Sequence, residues 1–210
     1  MYLWNIPIEN GRQSYFGFIQ LKKTKAREYV IHRLVDRKDS IQSPETEILN
    51  PSSWYGTLYY RIIPSSIAEG RLVYTLLGWD GYSANITQKI IEVMIVDDSG
   101  EITFGAPIFK NYLQGTNKRI LFKYSATVSM LLRYEEQAIS SEKRWNPKTN
   151  TFELHQVRAN MIICDHLIPM DPQLEGQYQF YIPSADSHDG FVREGENWKF
   201  ITGVDARNPD

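Results

Sequence analysis

Three places in this sequence set chemically able side chains at short spacing. Asp186-Ser187-His188-Asp189-Gly190 is the densest polar cluster. A carboxylate beside an imidazole is an acid–base couple, and oxygen donors next to a glycine suit a calcium loop. An EF-hand loop needs more carboxylates and a closing Glu, so a side-chain-capped turn ahead of the last hairpin is the plainer expectation. Cys164 and His166 stand two apart in Met161–Leu167, which puts both on one strand face with Asp165 opposite. A thiolate–imidazole pair is the chemical reading, but strand neighbours seldom have proton-transfer geometry, and cysteine is among the most buried residues. Trp79-Asp80-Gly81 ends an apolar run with a carboxylate beside a large ring. If this turn and the 186–190 turn share one end of the molecule, Asp80, Asp186, His188 and Asp189 line one polar mouth beside Trp79. The alternative keeps the turns apart, each capping its own backbone.

No short catalytic signature accompanies these residues. GxSxG, GxxxxGK[ST], HExxH and paired CxxC patterns are all missing. The expectation is therefore no catalytic residue, no metal site and no cofactor. Seven aromatics crowd the central stretch: Trp54, Tyr55, Tyr59, Tyr60, Tyr74, Trp79 and Tyr82. Exposed beside Asp80 and Asn85 they would form a sugar platform; on strands apolar on both faces they belong in a core. Asn85-Ile86-Thr87 has the form of a glycosylation triplet, a pattern frequent by chance.

The elements that must position these groups are strands. In Arg119–Ser125, Ile120, Phe122 and Tyr124 alternate with Arg119, Lys123 and Ser125, the period of a half-buried strand. Tyr29–Val35 reads likewise. Leu58–Ile63, Leu72–Trp79 and Ile90–Val96 are apolar on both faces, as strands covered on two sides are. Turn residues punctuate them at Asn10-Gly11, Asp80-Gly81, Asp97–Gly100, Asp189-Gly190 and Gly195–Asn197, because Asn and Gly accept the positive φ of tight turns. The spacing predicts an all-β protein: an antiparallel meander of about a dozen strands closing into a barrel, sandwich or propeller-like arrangement. Two stretches break the rhythm. Asp39–Ser53 reads as a long connection. Gln137–Arg158 reads as a polar excursion between strands Val128–Glu135 and Ala159–Leu167, with a short helix open at Tyr134–Ala138.

Composition narrows the function classes. The 210 residues make one β domain large enough to fold without disulfides or metals, and the single cysteine forms no internal bridge. Net charge is −2 and evenly spread, with 11 basic and 12 acidic residues in 1–105 and 12 and 13 in 106–210. That balance argues against nucleic acid as a partner, which calls for a basic stripe. The one basic run, Lys22–Lys38, reads as a solvated turn and strand face. No apolar run reaches the ~20 residues of a membrane helix. Aromatic residues are 13% of the chain, which favours pleated, half-buried surfaces.

Trp54-Tyr55-Gly56-Thr57-Leu58-Tyr59-Tyr60, Tyr74-Thr75-Leu76-Leu77-Gly78-Trp79-Asp80-Gly81 and Phe104-Gly105-Ala106-Pro107-Ile108-Phe109 occur in that order. Asp165-His166-Leu167, Asp189-Gly190-Phe191 and Val204-Asp205-Ala206-Arg207-Asn208 follow them. Together these phrases resemble an uncharacterised family of exported proteins from Bacteroidetes-type bacteria, over about residues 2–208. The resemblance implies that this chain is the C-terminal β region of a longer precursor destined for the periplasm or cell envelope. It implies no activity and no catalytic residues, and Gln137–Arg158 is longer than the family's connection there. The expected function is a non-catalytic β module that binds a protein partner or a glycan. A hydrolase using scattered carboxylates and histidines, and an assembly component of an envelope machine, are the alternatives.

Overall fold

The computed structural model describes residues 1–22, 28–66, 71–113 and 115–204. Within them the chain forms strands and short 3-10 turns, with no α-helix. Lys23, Lys25 and Arg27 of the basic run, and Asp205–Asn208 of the last matching phrase, lie outside the described residues.

The N-terminal sheet joins β1 (Tyr2–Pro7), β2 (Gln13–Lys22) and β3 (Tyr29–Val35) in chain order. The β1–β2 turn places Asn10 and Gly11 at φ of 60° and 68°, as their residue types foretell. The central sheet carries β4 (Leu58–Ser66), β5 (Leu72–Asp80), β6 (Ile86–Val96) and β7 (Ile102–Phe104). The free edge of β6 is shared: its second half takes β7, and its first half takes β9 (Ile120–Ser125). The C-terminal sheet runs β10 (Leu132–Asn146), β11 (Thr151–Pro169), β12 (Tyr181–Glu194), β13 (Asn197–Val204) and then the two-residue β8 (Phe109–Lys110). The strands are antiparallel except that β8 runs parallel to β13. The β12–β13 hairpin turns on Gly195 at φ 60°, the residue such a two-residue loop needs.

Among the described residues no sheet closes into a barrel, so of the arrangements expected from the sequence the barrel is not formed. The β9 and β8 pairings also break the expected chain-order meander. Two separate cores explain the closure achieved instead. Leu76, Ile90, Met94 and Val96 of the central sheet pack with Tyr15, Ile19 and Leu34 of the N-terminal sheet. Val73, Leu77, Ile91 and Val93, on the other face, pack with Ile162, Cys164, Phe191 and Trp198 of the C-terminal sheet. The central sheet is thus covered on both sides. That is why Leu72–Trp79 and Ile90–Val96 are apolar at odd and even positions alike. Each such fully buried aliphatic side chain is worth roughly 1.5–3 kcal/mol over its exposed state.

The long 36–57 connection is pinned rather than loose. Asn50 accepts hydrogen bonds from the Ser52 and Ser53 amides and caps the turn at Pro51–Ser53. Trp54 is completely buried, and Leu49 exchanges both backbone bonds with Phe104. Gly56 sits at φ 59°, where a β-carbon would strike the Asp36 carboxylate.

The 137–158 stretch corrects the sequence reading. It is neither helix nor excursion but the outer two-thirds of the β10–β11 hairpin, paired from Leu132–Cys164 out to Asn146–Thr151 with one bulge between Ala138 and Ser140. Its low β-branched content concealed strands held by cross-strand pairs, such as Trp145 on Phe152 at 5.1 Å.

Candidate functional site

Asp80, at the end of β5, does not open into a polar mouth. Its side chain is wholly buried at the junction of the N-terminal and central sheets, with the Lys38 ammonium 2.6 Å from Oδ1. Lys38, read from sequence as part of a solvated face, is nine-tenths buried and lies over the rings of Tyr15 and Tyr55. The Tyr15 hydroxyl accepts the Gly81 amide at 2.9 Å, and Asp36 accepts the amides of Tyr15 and Lys38. Burial raises the Asp80 carboxyl above its ordinary value against the opposing pull of Lys38, and burial likewise keeps the Tyr15 and Tyr55 hydroxyls protonated. Such a cluster locks two sheets together. Trp79, its neighbour, is half-buried.

The 186–190 segment is not a turn; it lies inside β12. The register explains its polarity. Asp165 pairs with His188, but Leu167 pairs with Pro183, so Ser184–Ser187 bulge out opposite His166. The pairing with β13 also slips between His188 and Asp189. Two irregularities meet here, and bulges of this kind re-aim side chains. They create two imidazole–carboxylate pairs. His166 Nδ1 lies 2.7 Å from Asp189 Oδ2, and His188 Nε2 lies 3.3 Å from Asp165 Oδ1. The second oxygen of Asp165 accepts the Leu131 amide at 2.7 Å. Asp186 stands apart, exposed on the bulge.

The thiol beside these pairs is closed to solvent. Cys164 is fully buried, its thiol donates to the Asp189 carbonyl at 3.7 Å, and burial pushes its pKa far up. A neutral buried thiol facing a carbonyl is a packing group. Of the five sequence candidates, the structure joins none of Trp79 and Asp80 with any of Asp186, His188 and Asp189. Asp80 is partnered by β2 and the segment after β3, and Asp189 by β11. Among the described residues no group of three His, Cys, Asp or Glu is arranged to hold a metal ion.

The crowded aromatics are core only in part: Trp54 and Tyr55 are buried, Tyr59 and Tyr74 pack against that core, and Trp54 Nε1 donates to the Tyr59 hydroxyl at 3.1 Å, whereas Tyr60 and Tyr82 are exposed. The exposed aromatic surface lies elsewhere, on the outer face of the N-terminal sheet. Tyr2, Phe18 and Arg33 form one row across its three strands; Trp4, Phe16 and Val35 form the next. Tyr2 stacks on Phe18 at 4.7 Å and Trp4 on Phe16 at 5.9 Å. Ile6, Tyr29 and Ile31 extend this face, and Trp4 and Ile31 remain 48% and 64% exposed. A hollow of about 400 Å³ lies among Trp4, Phe16, Phe18, Ile31 and Arg33. Beside it, sharing Phe16 and Arg33, a cleft of about 450 Å³ is lined by Arg12, Asp36, Arg37, Lys38, Asp39 and Tyr82. The signal was present in the sequence: Tyr2, Trp4 and Ile6 alternate, and Tyr15–Ile19 is apolar at both parities. Only the layer order reveals which of the two faces has no cover.

No family model, no curated protein and no solved structure matches this chain.

Proposed function

We propose that this chain is a non-catalytic binding module of an exported cell-envelope protein, and that it docks a protein partner on the outer face of β1–β3. The envelope setting comes from the resemblance. The binding role is carried by one observation: a three-stranded sheet that is apolar on both sides and covered on one. Contiguous exposed apolar surface of this kind marks interaction sites. Aliphatic Ile6 and Ile31 among the rings suit another protein's hydrophobic face. A glycan platform needs ring faces free for sugars, whereas Tyr2 and Trp4 each give a face to a neighbouring phenylalanine. Arg33 and Arg37 on the adjoining cleft favour acidic residues at the partner's rim. An assembly role would use the same face and differ in the permanence of the complex. The hydrolase reading has less support, since both imidazole–carboxylate pairs lie away from the hollow and the cleft just described.

The test is a double substitution, Trp4→Ser with Ile31→Ser. Both side chains are exposed, so each change should alter folding stability by no more than about 0.5 kcal/mol. Partners captured from an envelope extract by the wild-type protein are identified, purified and titrated by calorimetry. The expected result is binding with a negative heat-capacity change, weakened about tenfold or more in the double variant, as loss of roughly 1.4 kcal/mol implies. Equal affinity of the two proteins, or saturable binding of a polysaccharide in place of any protein, refutes the proposal.

A further inference from the structure

We infer that the outer part of the β10–β11 hairpin is a blade that lies on anionic lipid surfaces. This inference is independent of the docking face on β1–β3. β12 flanks β11 only from Met161 onward, so beyond Glu136–Asn160 the two strands are paired with each other alone. The free ribbon reaches about 30 Å, at roughly 3.4 Å per residue. A lone two-stranded ribbon is at best marginally stable in water, which makes its side chains worth sorting by face.

Register does the sorting. Trp145 pairs with Phe152, and Lys143 with Leu154, so these four share one face. Trp145, Phe152 and Leu154 are 50%, 67% and 68% exposed. The opposite face holds both carboxylates of the ribbon, and each is engaged there. Glu142 pairs with Arg144, and Glu153 accepts from Asn146 at 2.6 Å and from Thr149 at 3.1 Å. Outward of Gln137 the apolar face carries no carboxylate. Its ions are Lys143 and, at the root, Arg158, which pairs with Glu136; Lys148 stands at the tip, and neither lysine has an ion-pair partner among the described residues.

Charge complementarity selects the occupant. Tryptophan, phenylalanine and leucine in one plane with unpaired lysines match the interfacial zone of a bilayer. Rings and aliphatic chains settle at the headgroup boundary, while lysine stems run along the apolar surface and leave their ammonium groups at the phosphates. A second copy of the chain fits less well. The exposed apolar face of its N-terminal sheet carries Arg33 and Lys22, which would meet Lys143 and Lys148 with like charge.

The experiment sediments the whole purified protein with vesicles of pure phosphatidylcholine, and with vesicles in which part of it is replaced by phosphatidylglycerol. Association with the anionic vesicles only, reversed by high salt, is the expected result. Lys143→Ala with Lys148→Ala should weaken it about 30-fold, the effect of about 1 kcal/mol per basic residue at the surface. Trp145→Ser with Phe152→Ser and Leu154→Ser should abolish it. The global denaturation midpoint should match the wild type, because the ribbon stands clear of both cores. No vesicle binding by the wild type, or undiminished binding by the triple variant, overturns the inference. So does concentration-dependent self-association that the triple variant removes, which would make a second copy the occupant.

Discussion

The two faces of the central sheet are joined to their neighbours by different chemistry. Toward the N-terminal sheet, Glu92 and Asp80 lie wholly buried with Arg119 and Lys38 as partners. Toward the C-terminal sheet, the contact is hydrocarbon and ring packing around Trp198, whose Nε1 donates to the Thr75 hydroxyl at 2.9 Å. The polar side has a task that the apolar side lacks. It must hold the 36–57 connection, which forms no strand of its own. Arg119 follows the last β6–β9 pair and sits across from Glu92. From there its guanidinium donates to the carbonyls of Pro44, Glu47 and Phe104. One buried cation thus closes the Pro44 and Glu47 carbonyls, which no strand pairs, and gives the Phe104 carbonyl a second donor beside the Leu49 amide. A hydrocarbon side chain has no donors with which to do so.

If this division holds, the largest single effect belongs to Arg119→Ala. It strands the Glu92 carboxylate in a completely buried site and leaves the loop carbonyls without donors. A loss of about 3–5 kcal/mol is expected, the range for breaking a buried ion pair from one side. Urea denaturation reads it, and a loss below about 1 kcal/mol, within the range of exposed ion pairs, would remove Arg119 from the centre of the polar interface.

The apolar side should yield more gently to a change that keeps its ring. Trp198→Phe retains most of the packing against Tyr134 but leaves a gap and an unpartnered Thr75 hydroxyl. About 2 kcal/mol is expected from the unsatisfied group and the lost volume together. If adding Thr75→Val to Trp198→Phe restores part of that loss, the hydroxyl accounts for the restored share. Failure to restore any would assign the whole effect to the cavity.

The contrast also explains what could be read without coordinates. Strands with clear periodicity appear where expected: Tyr29–Val35 is β3, and Leu72–Trp79 falls one residue short of β5. The layer order was not legible, because Ile90 and Ile91 look alike in sequence and face different cores. The outer hairpin was misread because what holds it is the register between Ala138–Asn146 and Thr151–Arg158 rather than local propensity; pairs such as Lys143–Leu154 carry no local signal. His188 and Asp189 stand out in the sequence as members of one polar cluster expected at a turn, yet each is paired with a residue of β11, Asp165 and His166, brought in by the bulged pairing of β11 and β12. Asp80 was expected at an open turn. Its real setting depends on Lys38, more than forty residues earlier in the chain, and no local pattern links the two.

The smallest effect expected is a change of slope rather than of height, and it isolates Asp80. Burial raises the folded pKa of Asp80 above its unfolded value, and does the same for Glu92. Between those two values the folded state holds more protons than the unfolded state, so stability falls as pH rises through that window. The window begins near the ordinary carboxylate value of about 4 and extends upward. Asp39 and Asp97 have lowered values, from the Arg12 contact and the Ser99 hydroxyl, and act below that point with the opposite sign. Asp80→Asn removes one titrating group while leaving the Lys38 ammonium unpaired. The variant should therefore be less stable overall yet decline less steeply above about pH 4, with the remaining slope belonging to Glu92. Denaturation midpoints taken across that range in both proteins decide it. Parallel curves would mean that Asp80 is ionised at its ordinary value beside Lys38, and that the pair behaves as a solvated ion pair despite its burial.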